Sequence, residues 1–393
     1  MKKLAEITFF ERLLESPRNE LIEQAVAHGR VPLGYNCYVV PRPLLSVGKA
    51  FPVRLSAPGV QSTEMADYYM SSYTCSCARA ILETGLTGGY SFLDGMVWAN
   101  SCQHITRCGQ YFTMKKVNSD KGTFFVHMLE APRKLDEQDL ELFYSGLKKV
   151  AAQISDNFKI DMSDEALRQA IRQQNDFNSL LQEISKLRQD DHPKITGSEF
   201  HKLIVATQLA PQDMLVEPIM KLQDSMKERQ GINDYRARLM VVGPLLDNPR
   251  YIELIEEQGA LVVADRFCWG SQPGLELITP DGDPYFNLAK HYLQNCECAR
   301  MMDKSQVRID KLVERVREFN VDGIVIETVK FCDMWGYELL TLQNGLKEAG
   351  IPFVKIEREY AFAGEGQFRT RIQAFIESIE NKRLSKTQRE RVM

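Results

Sequence analysis

LDGMVWANSC, residues 93–102, opens on Asp-Gly, runs through a short apolar stretch and ends on a cysteine. A run this short, rich in Val and aromatic side chains and set off by a turn pair, reads as a strand buried on both faces. VDGIVIETVKFC, residues 321–332, repeats the design. Around the first copy lie VPLGYNCYVV, read as a strand ending near Cys37, FPVRLSA at 51–57 and TFFVHMLEAP at 123–132. Around the second lie RARLMVVGPLL at 236–246, ALVVADRFC at 260–268 and IPFVKIERE at 351–359. Helical stretches such as CARAILETGL, CQHITRCGQYFTMKK and a closing helix from about 366 alternate with these strands. Strand and helix in alternation call for a parallel sheet covered on both faces.

Between the two series, residues 136–235 carry long polar helical patterns, the second of them opened by a cap signal of the Ser-x-x-Glu type around Ser163. The expected fold is α/β: two doubly wound, Rossmann- or flavodoxin-like sheets at 1–135 and 236–393, joined by the helical segment 136–235, with a cleft between them.

The nine cysteines then fall into a pattern. The first series gives Cys37, the pentapeptide Cys75-Ser-Cys77-Ala-Arg79 and Cys102; the second gives Cys268, Cys296-Glu-Cys298-Ala-Arg300 and Cys332. The intervals differ by several residues, so this is a weak pseudo-repeat. In an open parallel sheet the carboxyl ends of the strands line one crevice, and Cys37, Cys102, Cys268 and Cys332 all follow strands. With one cysteine from each Cys-x-Cys pair, each half offers three thiolates. Thiolate sites suit zinc or iron-sulfur clusters. The local Cys-x2-4-Cys knuckles of structural zinc are absent, whereas an inorganic core spans ligands dispersed in sequence. Three cysteines on a four-iron cluster leave one iron open for substrate. Cys108 reads as packing.

GYNCYVVPRPLLSVGKAFPVRL (34–55), CSCARAILE (75–83), DGMVWANSC (94–102), DGIVIETVKFCD (322–333) and GIPFVKIEREYAFAGEGQFRTRIQAFIE (350–377) resemble the 2-hydroxyacyl-CoA dehydratase and benzoyl-CoA reductase superfamily. The resemblance implies a catalytic component that receives single low-potential electrons from an ATP-hydrolysing activator with its own [4Fe-4S] cluster. It implies a [4Fe-4S] cluster held by Cys75, Cys102 and Cys332, and a CoA thioester substrate in a heterodimer. The extra cysteines resemble the double-cubane branch, a homodimer whose [8Fe-9S] cofactor reduces small molecules. In that reading Cys37, Cys268 and Cys298 or Cys296 hold the second cubane, and one cubane per half is an equal alternative. The chain departs from the family where FCDMW lacks a Pro after Cys-Asp and where CQ stands in place of Cys-Asp. A non-catalytic electron-transfer protein and a zinc-stabilised binding module are the other classes considered.

His104, two residues after Cys102, is a candidate proton donor. Arg79 and Arg300 are candidate donors toward cluster sulfurs. Arg369 and Arg371 start the last helix, as anion ligands or as partners of Glu357 or Glu359. Trp269 and Trp335 are candidate shields against water. VVGPLLDNP carries neither a Gly-x-Gly-x-x-Gly nor a Walker pattern, which places ATP on a partner.

Composition bounds the rest. With 44% hydrophobic and 26% charged residues and a formal charge of -4, the chain has the profile of a globular protein without a nucleic-acid footprint. The first 25 residues mix Glu and Arg into every turn, unlike a signal peptide, and no run reaches the roughly 18 apolar residues of a membrane span. A cytoplasmic location follows, where the thiols stay reduced.

Overall fold

The computed structural model describes residues 4–115, 117–118, 122, 124–271, 274–361 and 364–392. Lys116, Thr123, Phe362 and Ala363, in the stretches read above, lie outside them. Two four-stranded, all-parallel sheets are present among the described residues. The first is built from β1 (Val31–Tyr35), β2 (Ala50–Arg54), β3 (Gly95–Ala99) and β4 (Val126–Leu129) in the order β2-β1-β3-β4. The second, from β5 (Ala237–Val242), β6 (Ala260–Arg266), β7 (Gly323–Val329) and β8 (Phe353–Arg358), has the order β6-β5-β7-β8. The same strand order in both sheets puts the pseudo-repeat at the level of topology. In each sheet the chain reverses its direction of travel beside the first strand, and there the crevice opens at the carboxyl ends.

Fourteen helices cover and join the sheets among the described residues. Before and within the first sheet come α1 (Ala5–Arg12), α2 (Glu20–Ala27), α3 (Glu64–Asp67), α4 (Ser76–Leu86) and α5 (Gln103–Met114). The middle holds α6 (Glu137–Phe158), α7 (Asp164–Lys186), α8 (Gly197–Leu209) and α9 (Val216–Lys227). With the second sheet come α10 (Arg250–Glu256), α11 (Pro284–Gln294), α12 (Ser305–Glu318), α13 (Asp333–Glu348) and α14 (Glu365–Val392).

Alternation along each central strand explains the layers. Val97 and Ala99 of β3 face a core shared with α6, α7 and α11, while Met96 and Trp98 face α4 and α5. In β7, Val325 meets α14 whereas Ile324 and Ile326 meet α12 and α13. Gly109 lets α5 lie flat on β3, since a Cβ there would come within 2.6 Å of the Trp98 ring. Every residue of α8 is buried, so it forms the hub between the helical segment and the second sheet. The capping box belongs to this helix, at Thr196 and Glu199. Ser163 does cap α7 by accepting the Ala166 N–H, but Ala166 itself supplies no returning carboxylate, so the box read there is a single bond. No helix among the described residues is long and apolar enough to cross a membrane.

Candidate functional site

Where the strand exits of both sheets meet, a cavity of about 120 Å³ is lined by seven cysteines: Cys37, Cys75, Cys77, Cys102, Cys268, Cys298 and Cys332. All nine cysteines are free. Cys296 is buried but lies outside the lining, and Cys108 packs in the core beneath α5. Six of the lining cysteines are the six proposed ligands, and of the second Cys-x-Cys pair the structure turns Cys298, not Cys296, toward the cavity.

Three of these cysteines occupy the same kind of position. Cys75 is the N-cap of α4, Cys102 of α5 and Cys332 of α13. First-turn N–H groups lie near each sulfur and act to lower its pKa without closing a side-chain cap hydrogen bond: Cys77 and Ala78 at Cys75, Ile105 and His104 at Cys102, Trp335 at Cys332. Three helix N-termini therefore point their partial positive charge at one cavity, which favours thiolates and any anionic group they bind. Burial acts the other way and dominates while the thiols are unligated: it pushes Cys102 up to about 12 and raises Cys75 and Cys332 as well. Phe331, just before Cys332, has φ 61°, a left-handed conformation that costs an aromatic residue about 1 kcal/mol or more. The strain turns the chain out of β7 so that the next residue caps α13 over the cavity.

The remaining trio is held differently. Asn36 at the exit of β1 clamps the end of β3, its amide donating to the Ala99 carbonyl at 2.9 Å and accepting the Ala99 N–H at 2.8 Å. That clamp sets Cys37 beside the β3 exit that carries Cys102. Cys268 follows β6, and its sulfur accepts from Arg54 Nη2 at 3.2 Å, while Arg54 Nη1 reaches its carbonyl. Cys298 sits in the turn between α11 and α12; burial raises its thiol pKa, against the opposing influence of Arg300. The sequence pairing of Cys37 with Cys268 does not survive: Cys37 follows the first strand of its sheet, Cys268 the second of its own. Cys102 and Cys332 are true counterparts, each after the third strand.

His104 Nδ1 accepts the Cys75 N–H at 3.2 Å, which assigns the ring proton to Nε2, 3.4 Å from Asp333 Oδ2. The imidazole thus bridges the first turns of α4 and α13, from different sheets, and lines the cavity with Asp333. Trp269 and Trp335 line it too, almost fully buried. Arg79 turns away to Asp67 and Thr63, whereas Arg300 lines the cavity. Arg369 pairs with Glu257 and Glu365, and Arg371 donates to the Lys355 carbonyl; neither meets Glu357 or Glu359.

Besides Asn36 and Arg54, three further lining features escaped the sequence reading. Cys77 joins Cys75 because Cys75, as N-cap, has extended backbone, so the two side chains need not diverge as neighbours within a helix do. Asp247 and the Pro244-Leu245 turn come from the loop after β5, a switch-point position that could have flagged them. Asp247 is partly buried, desolvation raises its pKa, and it accepts from the Tyr360 hydroxyl.

The donor set fits a polynuclear thiolate-held group. Sulfur dominates the lining, helix N-termini and arginines supply positive charge, and the walls are otherwise mainly Trp, Leu, Ile and Pro. Among the described residues no three His, Cys, Asp or Glu side chains gather closely enough to grip a single metal ion. The sulfurs ring a space.

A family model described as "2-hydroxyglutaryl-CoA dehydratase, D-component" matches residues 37–379. The chain is 25% identical over 370 residues to the (R)-phenyllactyl-CoA dehydratase beta subunit of Clostridium sporogenes, covering 94% of this chain and 97% of that protein. It is 20% identical to the lactoyl-CoA dehydratase subunit beta of Anaerotignum propionicum, over 93% and 96% of the two chains. Similarity extends to a benzoyl-CoA reductase subunit of Thauera aromatica, at 22% identity over 84% and 85%.

Proposed function

We propose, for a chain that belongs to the 2-hydroxyglutaryl-CoA dehydratase D-component family, that it is an iron-sulfur redox component of the double-cubane type. In this reading it accepts low-potential electrons from an ATP-hydrolysing activator and reduces a small molecule in the cysteine-lined cavity. The chain is an enzyme component of lyase or oxidoreductase type, as its relatives' names state of them. The observation that carries the finer reading is the convergence of Cys37, Cys75, Cys102, Cys268, Cys298 and Cys332 on one cavity. Six thiolates supply two sets of three.

Such a cofactor, when bound, supplies single electrons at low potential and an iron with a free coordination position. The chain does the rest. Cys75, Cys102 and Cys332 hold one set of irons, with the first-turn N–H groups of α4, α5 and α13 offsetting the negative charge. Cys37, Cys268 and Cys298 hold the other. Trp269, Trp335 and Leu245 keep the walls apolar, which excludes water from reactive electrons. His104 holds a proton on Nε2 at the cavity wall, with the Cys75 N–H on Nδ1 and Asp333 at Nε2 fixing the tautomer.

A second reading, a dehydratase subunit with one [4Fe-4S] cluster acting on a CoA thioester, draws support from the helix-capped trio alone and from relatives named as beta subunits. Those names also support a partner subunit. Iron and acid-labile sulfide counts on anaerobically purified protein separate the readings: about eight irons per chain support two cubanes, about four support one cluster, and zinc alone ends the redox reading.

A further inference from the structure

Seven arginines are buried among the described residues, and five of them are accounted for by partners. Arg188, Arg266, Arg308 and Arg358 each face a carboxylate, and Arg238 donates from all three side-chain nitrogens to main-chain carbonyls. Arg54 and Arg300 are the other two, 3% and 1% exposed. Neither forms an ion pair with a carboxylate among the described residues. Arg54 lies over the Trp269 ring, 4.4 Å from its centroid, and donates to Gln208, the Cys268 carbonyl and the Cys268 sulfur. Arg300 Nη1 donates to the carbonyls of Ala131 and Pro132. The rest of the Arg300 guanidinium faces Cys296, Cys298 and Cys37 without closing a regular hydrogen bond.

A guanidinium stays charged in any protein, and a buried one without a counter-charge is destabilising by several kcal/mol. Carbonyls and a π-face orient such a group but do not neutralise it. What both cations share is the company of one set of cysteines: Arg54 touches Cys268, and Arg300, whose strongest sulfur partner is Cys296, lines the same cavity as Cys298 and Cys37. Buried Arg358 acts on Cys75, but it is already paired with Glu327, so the helix-capped trio has no buried arginine beside it that lacks a carboxylate.

We propose that Arg54 and Arg300 are built-in counter-charges for a cluster held by Cys37, Cys268 and Cys298, and that they raise the potential at which that cluster takes an electron relative to the same cluster without them. Positive charge next to a cluster favours its reduced, more negative state, and a water-excluded cavity strengthens the effect. Two sites of different electrostatic design in one cavity order the electron's path: the cation-backed set is the place where charge rests. These arginines are positioning residues in this role and do not themselves touch substrate.

The inference rests on the two-set reading, and its test is chosen to fail separately. Iron is first counted in the wild-type protein; a count of about four per chain defeats the two-set reading and with it this one. With about eight, the holoprotein is titrated anaerobically with low-potential mediators and followed by electron paramagnetic resonance. In Arg300→Gln and Arg54→Gln, made separately, full iron content with one midpoint moved to more negative potential and the other unmoved is expected. Unmoved midpoints in both variants, with iron complete, would overturn the proposal and leave the two-set reading standing. Where a Gln variant does not fold or load, Arg300→Lys and Arg54→Lys decide: charge retained with iron and midpoints near wild type supports counter-charge, whereas loss of iron as complete as in the Gln variant shows that the hydrogen-bond fork alone matters and overturns it.

Discussion

The two Cys-x-Cys-Ala-Arg segments share their letters and differ in almost everything the fold makes of them. At 75–79 the pentapeptide begins α4: Cys75 caps it, Cys77 joins the cavity wall, and Arg79 reaches out to half-exposed Asp67. At 296–300 it occupies the turn between α11 and α12: Cys298 enters the cavity, Cys296 stays behind, and Arg300 is buried against main-chain carbonyls. The first arginine is a solvent-side ion pair, and the second is a cation enclosed with sulfur. A short motif acquires its chemistry from the element on which it falls, and two sheets of identical strand order can offer one cofactor two unlike environments.

Ligand deletion is the largest expected perturbation of this contrast. Cys102→Ser and Cys298→Ser should each remove about half the iron and lower turnover by at least about 100-fold, but they should abolish different paramagnetic signals. Loss of the same signal in both variants would merge the two sites into one.

Stability separates the arginines next. Arg300→Ala empties a buried site and leaves two carbonyls without a donor, a loss of about 3 kcal/mol in urea unfolding of the cluster-loaded protein, where the cation has its counter-charge, whereas Arg79→Ala removes a partly exposed pair and costs about 0.5 kcal/mol. Equal losses would say that the two pentapeptides are buried alike.

His104→Gln tests the bridge between the first turns of α4 and α13. Iron content should be retained while turnover falls about 10- to 100-fold; unchanged turnover would reduce His104 to a structural link.

Acid provides the last contrast. Burial pulls both His201, packed on Phe267 beside Cys268, and His291 on α11 down to about 4. A depressed histidine pKa means that the unfolded chain binds the extra proton first, so stability is intact above pH 6.5 and declines from there toward pH 4, by up to about 1.4 kcal/mol per pH unit for His201. Hydrogen exchange at pH 5 should therefore quicken around 260–298 before it does around 75–105. Uniform quickening would mean that the two environments do not differ in acid sensitivity.

The eight strands among the described residues were legible because each is a short, largely apolar run bounded by turn residues, a local signal that full burial enforces in six of them, all but β4 and β8. Strand exits followed from the strands, and so did the placing of Cys37, Cys102, Cys268 and Cys332 on one crevice. Relations across the fold were not legible. The Asn36 clamp joins residues 63 apart, the Arg54 contact with Cys268 spans 214, and no periodicity announces either. Cys37 and Cys268 looked equivalent because spacing along the chain does not say which strand of a sheet a residue follows. The choice of Cys298 over Cys296 rests on a turn whose path depends on Arg300 finding the carbonyls of Ala131 and Pro132, in the other half of the molecule.

The central claim is that thiols from both sheets close on a shared inorganic core, and anomalous scattering at the iron edge from crystals grown without oxygen tests it most directly. Two adjoining iron peaks are predicted, one bounded by Cys75, Cys102 and Cys332 and the other by Cys37, Cys268 and Cys298. A single peak touching only the helix-capped trio, or none in the cavity at all, would contradict it.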